Sequence, residues 1–143
     1  MIQHDVTDLS FLEPQSFDLA VDARLLHMLV VDSDRDRYLR GLCRALKPGA
    51  MVLFIELLRE DAYDGPIDSF DEYMKVFAPD LTTLEERSAF NAGKEVKIKL
   101  TQVPARPRSK TGYLKELGRY GFEVVNFTLV QSGMGCRIIA QYS

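Results

Sequence analysis

Three features of this 143-residue chain predict an α/β fold with a mostly parallel sheet. The runs 17–21 and 51–58 are almost wholly apolar and too short for typical helices. They read as strands covered on both faces. Between them, Leu39, Leu42, Cys43 and Leu46 recur at spacings of three, four and seven, which is a helical stripe. Two strands joined by a helical crossover make a right-handed βαβ unit. At the other end, two apolar runs are separated only by Ser132-Gly133-Met134-Gly135. So short a link forces an antiparallel hairpin, because a parallel pair needs a long crossover.

In chain order, the first strand ends on Asp22, and Ser33 with Asp36 forms a capping-box-like start to the helix. Lys47-Pro48-Gly49 stops that helix, since proline cannot continue it and glycine permits the turn. The second strand carries Glu56 near its end. From 59 to 110 the alternation lapses, and the segment reads as an insertion over one end of the sheet. Within it, Ile67, Phe70, Met74 and Phe77 mark a short helix, and Thr83 with Glu86 predicts another ending near Gly93. Residues 94–100 alternate, with Val96, Ile98 and Leu100 on one side and lysines on the other, which predicts a half-exposed strand. Pro104 and Pro107 mark a loop, and Thr111 is the expected cap of a helix that Gly121 ends.

Composition narrows the function classes. Eighteen basic against 21 acidic residues give a net charge of −3, which argues against a broad nucleic-acid-binding face. No apolar run reaches the roughly 18 residues of a membrane span, and the first residues lack the pattern of a signal peptide. A cytoplasmic protein of one domain, 1–143, is expected. Cys43 and Cys136 lie far apart without metal spacing and read as reduced, mostly buried thiols. Residues 60–71 offer no calcium loop, because Ala62 falls at a ligand position. Arg106, Arg108 and Lys110 read as a solvated loop, with anion binding the less favoured alternative.

Several segments resemble the class I S-adenosylmethionine-dependent methyltransferases. Asp5-Val6-Thr7-Asp8-Leu9 looks like that family's loop after its third strand, and Ser16-Phe17-Asp18 like the start of the fourth. His27 stands where many members have a histidine, and Gly-Arg-Tyr-Gly-Phe-Glu-Val-Val, 118–125, looks like the last helix turning into the hairpin. The resemblance implies a Rossmann-like sheet, the cofactor S-adenosylmethionine and a small-molecule methyl acceptor. It implies that Asp5 and the Val6 N–H meet the adenine edge, as acceptor and donor. Asp22, Ala23 and Arg24 would face the methionine portion or the substrate, with His27 over the cofactor or acting as a base, given an ordinary pKa near 6.5. Each has a plainer alternative: a turn cap for Asp5, a strand-end acid for Asp22, a structural hydrogen bond for His27. Glu56 would face substrate or solvent.

The match covers only about the second half of such a domain. Members hold the methionine portion with a Gly-x-Gly loop, where backbone must approach the ligand. This chain's one close Gly-x-Gly is Gly133 and Gly135, in the hairpin. The expectation is therefore the carboxyl-terminal part of a methyltransferase, truncated or completed by another chain, with weak cofactor binding alone. The alternatives are a non-catalytic half-domain that dimerises and an unrelated α/β enzyme. In the family the missing first strand lies beside residues 17–22, so an unpaired apolar edge and a homodimer covering it are expected.

Overall fold

The computed structural model describes residues 2–143. Strand β1 (Phe17–Ala23) leads through a 3₁₀ turn (Leu26–Met28) into helix α1 (Asp32–Ala45) and strand β2 (Leu46–Leu57). Helix α2 (Phe70–Phe77) precedes strands β3 (Glu85–Asn91) and β4 (Lys94–Leu100). Helix α3 (Lys110–Arg119) then feeds strands β5 (Phe122–Leu129) and β6 (Gly135–Tyr142).

The main sheet has the order β1-β2-β6-β5. β1 and β2 are parallel, with Val21 opposite Leu53, and β6 runs antiparallel to both β2 and β5. The predicted βαβ unit and terminal hairpin are therefore both present, and β1 lies at an edge. On one face, Val52, Phe54, Ile138 and Ala140 pack with Leu39 and Leu42 of α1 and with Tyr113 and Leu117 of α3. This is the core.

Local details depart from the sequence expectations. α1 has no side-chain cap: its N-cap is Val31, and Asp36 instead accepts from Arg40 and Tyr120. Asp32 and Asp34 in the first turn supply the negative charge that a helix amino terminus favours. The helix stops at Ala45, and Leu46 pairs with Phe17 before the chain bulges through Pro48 and Gly49, whose φ is +83°. α3 is capped by Ser109, which accepts from the Gly112 N–H, so Thr111 is already inside the helix. The buried contact of α2 is Tyr73, which the expected face omitted; Phe70 is exposed.

The helix predicted from Thr83 does not form. Residues 85–91 are β3, hydrogen-bonded to β4. Ala92 and Gly93 both have positive φ, +49° and +79°, which matches the tight hairpin turn whose twist suits the strands. The Thr82 and Thr83 N–H groups donate to Asp80 in an ordinary turn. The loop arginines are also not solvated. Arg106 donates to Asp32 Oδ1 at 2.6 Å, to the Val30 carbonyl and to the Gly65 carbonyl, while Arg108 forks onto Glu116. Both are buried, because the loop carrying them is tucked between α1 and the segment 64–67. No described helix is long and apolar enough to cross a membrane.

Candidate functional site

Parallel strands place ligands beyond their carboxyl ends. At that end Asp22 of β1, Glu56 of β2 and His27 of the 3₁₀ turn are brought together, all buried. Glu56 Oε2 accepts the His27 backbone N–H at 2.8 Å and lies 2.5 Å from Nδ1. Asp22 Oδ1 accepts the Leu25 N–H at 2.8 Å, and Oδ2 accepts the Tyr38 hydroxyl at 2.9 Å. Asp22 thus holds the turn that carries His27, and Glu56 orients the ring. The turn is locked from the other side by the Arg106 N–H, which donates to the His27 carbonyl at 2.7 Å.

Burial governs the protonation of this cluster. It pushes Asp22 up to about 7, helped by the neighbouring charge of Glu56, and pushes Glu56 up to about 7 as well. It pushes His27 down to about 4, with Arg24's positive charge acting in the same direction. The imidazole is therefore neutral at pH 7, donates Nδ1–H to Glu56, and leaves Nε2 as the nitrogen able to take a proton. Glu56 Oε1 has no hydrogen-bond partner among the described residues. Each carboxyl therefore ionises only near neutrality, and the charge of Glu56 opposes that of Asp22.

Arg24 is exposed and has φ +68°, the left-handed region that is uncommon outside glycine. Its N–H donates to the Ile55 carbonyl, which stitches β1's last turn to β2. A cavity of about 220 Å³ opens here, lined by Arg24, Glu56, Leu57, Ser132, Met134 and Cys136. A larger groove, about 580 Å³, runs between α1 and α3 beside Arg35, Arg108 and Glu116. Those three are already paired with each other, so the smaller cavity is the better candidate.

Asp5 lies apart from this cluster. Its Oδ1 accepts the Thr7 N–H and hydroxyl, both at 2.9 Å, and these bonds hold the exposed carboxylate below its ordinary pKa. The turn-cap alternative for Asp5 is thus realised, while Oδ2 and the Val6 N–H have no hydrogen-bond partner among the described residues. Ala23 is exposed at the end of β1. Tyr38 and Arg35 escaped the sequence reading. The signal was present, because Tyr38, Leu42 and Ala45 extend the helical stripe upward by one turn.

The strand order and the parallel βαβ unit are those of a Rossmann-like sheet, with an acid–histidine cluster at its carboxyl end. Residues 1–54 match the family model for a methyltransferase domain. No curated protein sequence matches. Among solved structures, a S-adenosylmethionine-dependent methyltransferase from Methanosarcina mazei has a TM-score of 0.62 at 20% identity, over 96% of this chain and 64% of its own. The 1,6-didemethyltoxoflavin-N1-methyltransferase of Burkholderia thailandensis, solved with bound 1,6-didemethyltoxoflavin and S-adenosylhomocysteine, has a TM-score of 0.60 at 16% identity, over 94% and 48%. A S-adenosylmethionine-dependent methyltransferase from Clostridium acetobutylicum has 0.61 at 10% identity, over 99% and 64%. At such identities the likeness is one of fold, and the chain spans less than two thirds of each of these structures. The amino-terminal 54 residues thus resemble a methyltransferase domain, and the whole chain shares the fold of S-adenosylmethionine-dependent methyltransferases.

Proposed function

We propose that this chain forms the acceptor side of a site for S-adenosylmethionine-dependent methyl transfer to a small molecule in the cytoplasm. The observation that carries this is the buried Glu56–His27 pair, presented at the carboxyl ends of two parallel strands. Bound there, S-adenosylmethionine would supply an electrophilic methyl group on a sulfonium. The described residues suit one end of that group: Asp5 Oδ2 and the Val6 N–H offer the acceptor and donor that an adenine edge requires. They contain no glycine-lined cradle for the methionine portion, since Gly133 lies in the β5–β6 turn and Gly135 opens β6. Asp22 accepts from Leu25 and Tyr38, so in this reading it positions the turn.

His27 is the residue to which chemistry falls. With Nδ1–H held by Glu56, Nε2 can take the proton that an acceptor O–H or N–H gives up, which is the arrangement general-base catalysis needs. Glu56 fixes the tautomer and ring orientation.

Because the described residues hold no such cradle, the second reading is a non-catalytic half-domain. Titration calorimetry of the 143-residue chain with S-adenosylhomocysteine separates the two. A dissociation constant below 1 mM, weakened about tenfold by Asp5→Ala as expected for one hydrogen bond to a charged group, supports the methyltransferase reading. Binding weaker than millimolar sinks it in favour of the half-domain.

A further inference from the structure

The expectation that residues 59–110 pack over one end of the sheet holds for only part of that segment. Every residue of β4 is exposed, and of β3 only Glu85 and Ala89 are half-buried, so the hairpin stands clear. The strap that follows it does the opposite: residues 106–109 are all buried. A connecting segment seldom runs inside a protein, because each of its peptide groups must find a partner there. The partners found by this strap point to a task.

Its backbone reaches both sides of the acid–histidine pair. The Arg59 N–H donates to the Arg108 carbonyl at 3.1 Å, which ties the strap to β2 just past Glu56. The Arg106 N–H donates to the His27 carbonyl at 2.7 Å. The Arg106 side chain then repeats the grip. Its Nη1 donates to the Val30 carbonyl at 2.9 Å and to Asp32 Oδ1 at 2.6 Å, and its Nη2 to the Gly65 carbonyl at 2.8 Å. Arg35 holds the carbonyls of Leu26 and Leu29, so two buried arginines fix the turn at Leu26, His27, Leu29 and Val30.

Covering a core does not require such a residue. Arg106 is 0% exposed, and its Nε has no hydrogen-bond partner among the described residues. An apolar side chain of similar volume would fill the space without the desolvation cost of a buried charge. What only the planar fork can do is hold the turn, the first residue of α1 and the 64–67 segment at once. That matters because the aim of an imidazole is set by the bond at its other nitrogen. The Nδ1–Glu56 contact persists only while the turn keeps the ring within reach, and a misplacement of about 1 Å can cost a hundredfold in rate. The strap is itself held. The Tyr73 hydroxyl of α2 donates to the Ala105 carbonyl at 3.0 Å and accepts the Ala105 N–H at 2.9 Å, next to Arg106.

We propose that Arg106 is a positioning residue for His27: through the turn's carbonyls and Asp32 it sets where the ring stands against Glu56, and Tyr73 holds Arg106 to that place. The catalytic meaning rests on the reading of His27 as the base, but the test reads the ring itself. The chain has two histidines, so a His4→Gln background leaves His27 alone in a nitrogen-15 spectrum. At pH 7 its ring should show a protonated Nδ1 and a bare Nε2, with a titration midpoint held near 4. Arg106→Lys keeps the charge and loses the fork. It should mix the two tautomers and raise the ring's proton affinity at least tenfold, toward the ordinary value near 6.5. Tyr73→Phe keeps the packing and should move the ring the same way by less. The charges facing the ring, Glu56, Asp22, Arg24 and Arg35, are the same in both variants. A lowered urea midpoint for Arg106→Lys with tautomer and titration unchanged overturns the proposal, since Arg106 would then only support the fold. Should Arg106→Lys fail to fold, Tyr73→Phe decides, and an unmoved ring overturns it again. Calorimetry with S-adenosylhomocysteine stands apart, because a chain that binds no cofactor still shows the Arg106 effect on the ring.

Discussion

Glu116→Ala should destabilise the fold by about 3–5 kcal/mol, the usual cost of breaking a buried ion pair from one side. Glu116 accepts from Arg35 Nε and Nη2 at 2.7 and 2.6 Å, and from Arg108 Nε and Nη2 at 3.0 and 3.2 Å. Arg35 is only 1% exposed and cannot turn to water when its partner is removed. Its Nη1 meanwhile serves the carbonyls of Leu26 and Leu29, at both ends of the turn that carries His27. Damage here therefore reaches the candidate site. The urea midpoint reports the loss, and a change below about 1 kcal/mol would mean that the guanidinium groups are hydrated after all.

The same cluster sets the acid limit of the fold. Burial alone would push Glu116 up, but the charge of Arg35, then Arg108, overcomes it and pulls the carboxyl down to about 2. A carboxyl with a lower pKa in the folded chain contributes stability above its unfolded value near 4.5, and that contribution fades as pH falls toward 2. In Glu116→Ala this part of the acid unfolding slope should vanish.

The scaffold was legible in the sequence where punctuation and periodicity agree. The four-residue link at 132–135 allows only a hairpin and the 39–46 stripe has a single sensible period, while Lys47-Pro48-Gly49 falls in a bulge of β2 just after the helix has ended at Ala45. β3 was missed because Thr83 and Glu86 mimic a helix start, whereas a two-residue turn at Ala92-Gly93 decides the structure by backbone dihedrals that no side-chain pattern displays. Arg106 and Arg108 looked solvated for a related reason. Proline-flanked arginines usually are, and their acidic partners, Asp32 and Glu116, lie 74 and eight residues away on different helices. Of the site, His27 and the two strand-end acids were visible as individual residues. That Glu56 binds both the backbone and the ring of His27 is a fact of strand register.

Asp22→Asn should raise stability at pH 8, by on the order of 2–4 kcal/mol if the full shift is realised, and have little effect near pH 4. Asp22 is pushed up to about 7 by burial and by Glu56, so the folded chain holds its proton more tightly than the unfolded chain does. The stability this provides is complete below the unfolded value near 3.8 and is lost as pH rises through 7. His27, pushed down to about 4, works in the opposite sense and weakens the fold as pH falls from 6.5. An asparagine removes only the first effect. Its carbonyl can still accept the Leu25 N–H, while its amide takes the place of Oδ2 and can donate to the Tyr38 hydroxyl oxygen. Chemical denaturation of wild type and variant at pH 4, 6 and 8 tests this directly. A difference that stays flat across the three would show that Asp22 is ionised in the folded chain throughout.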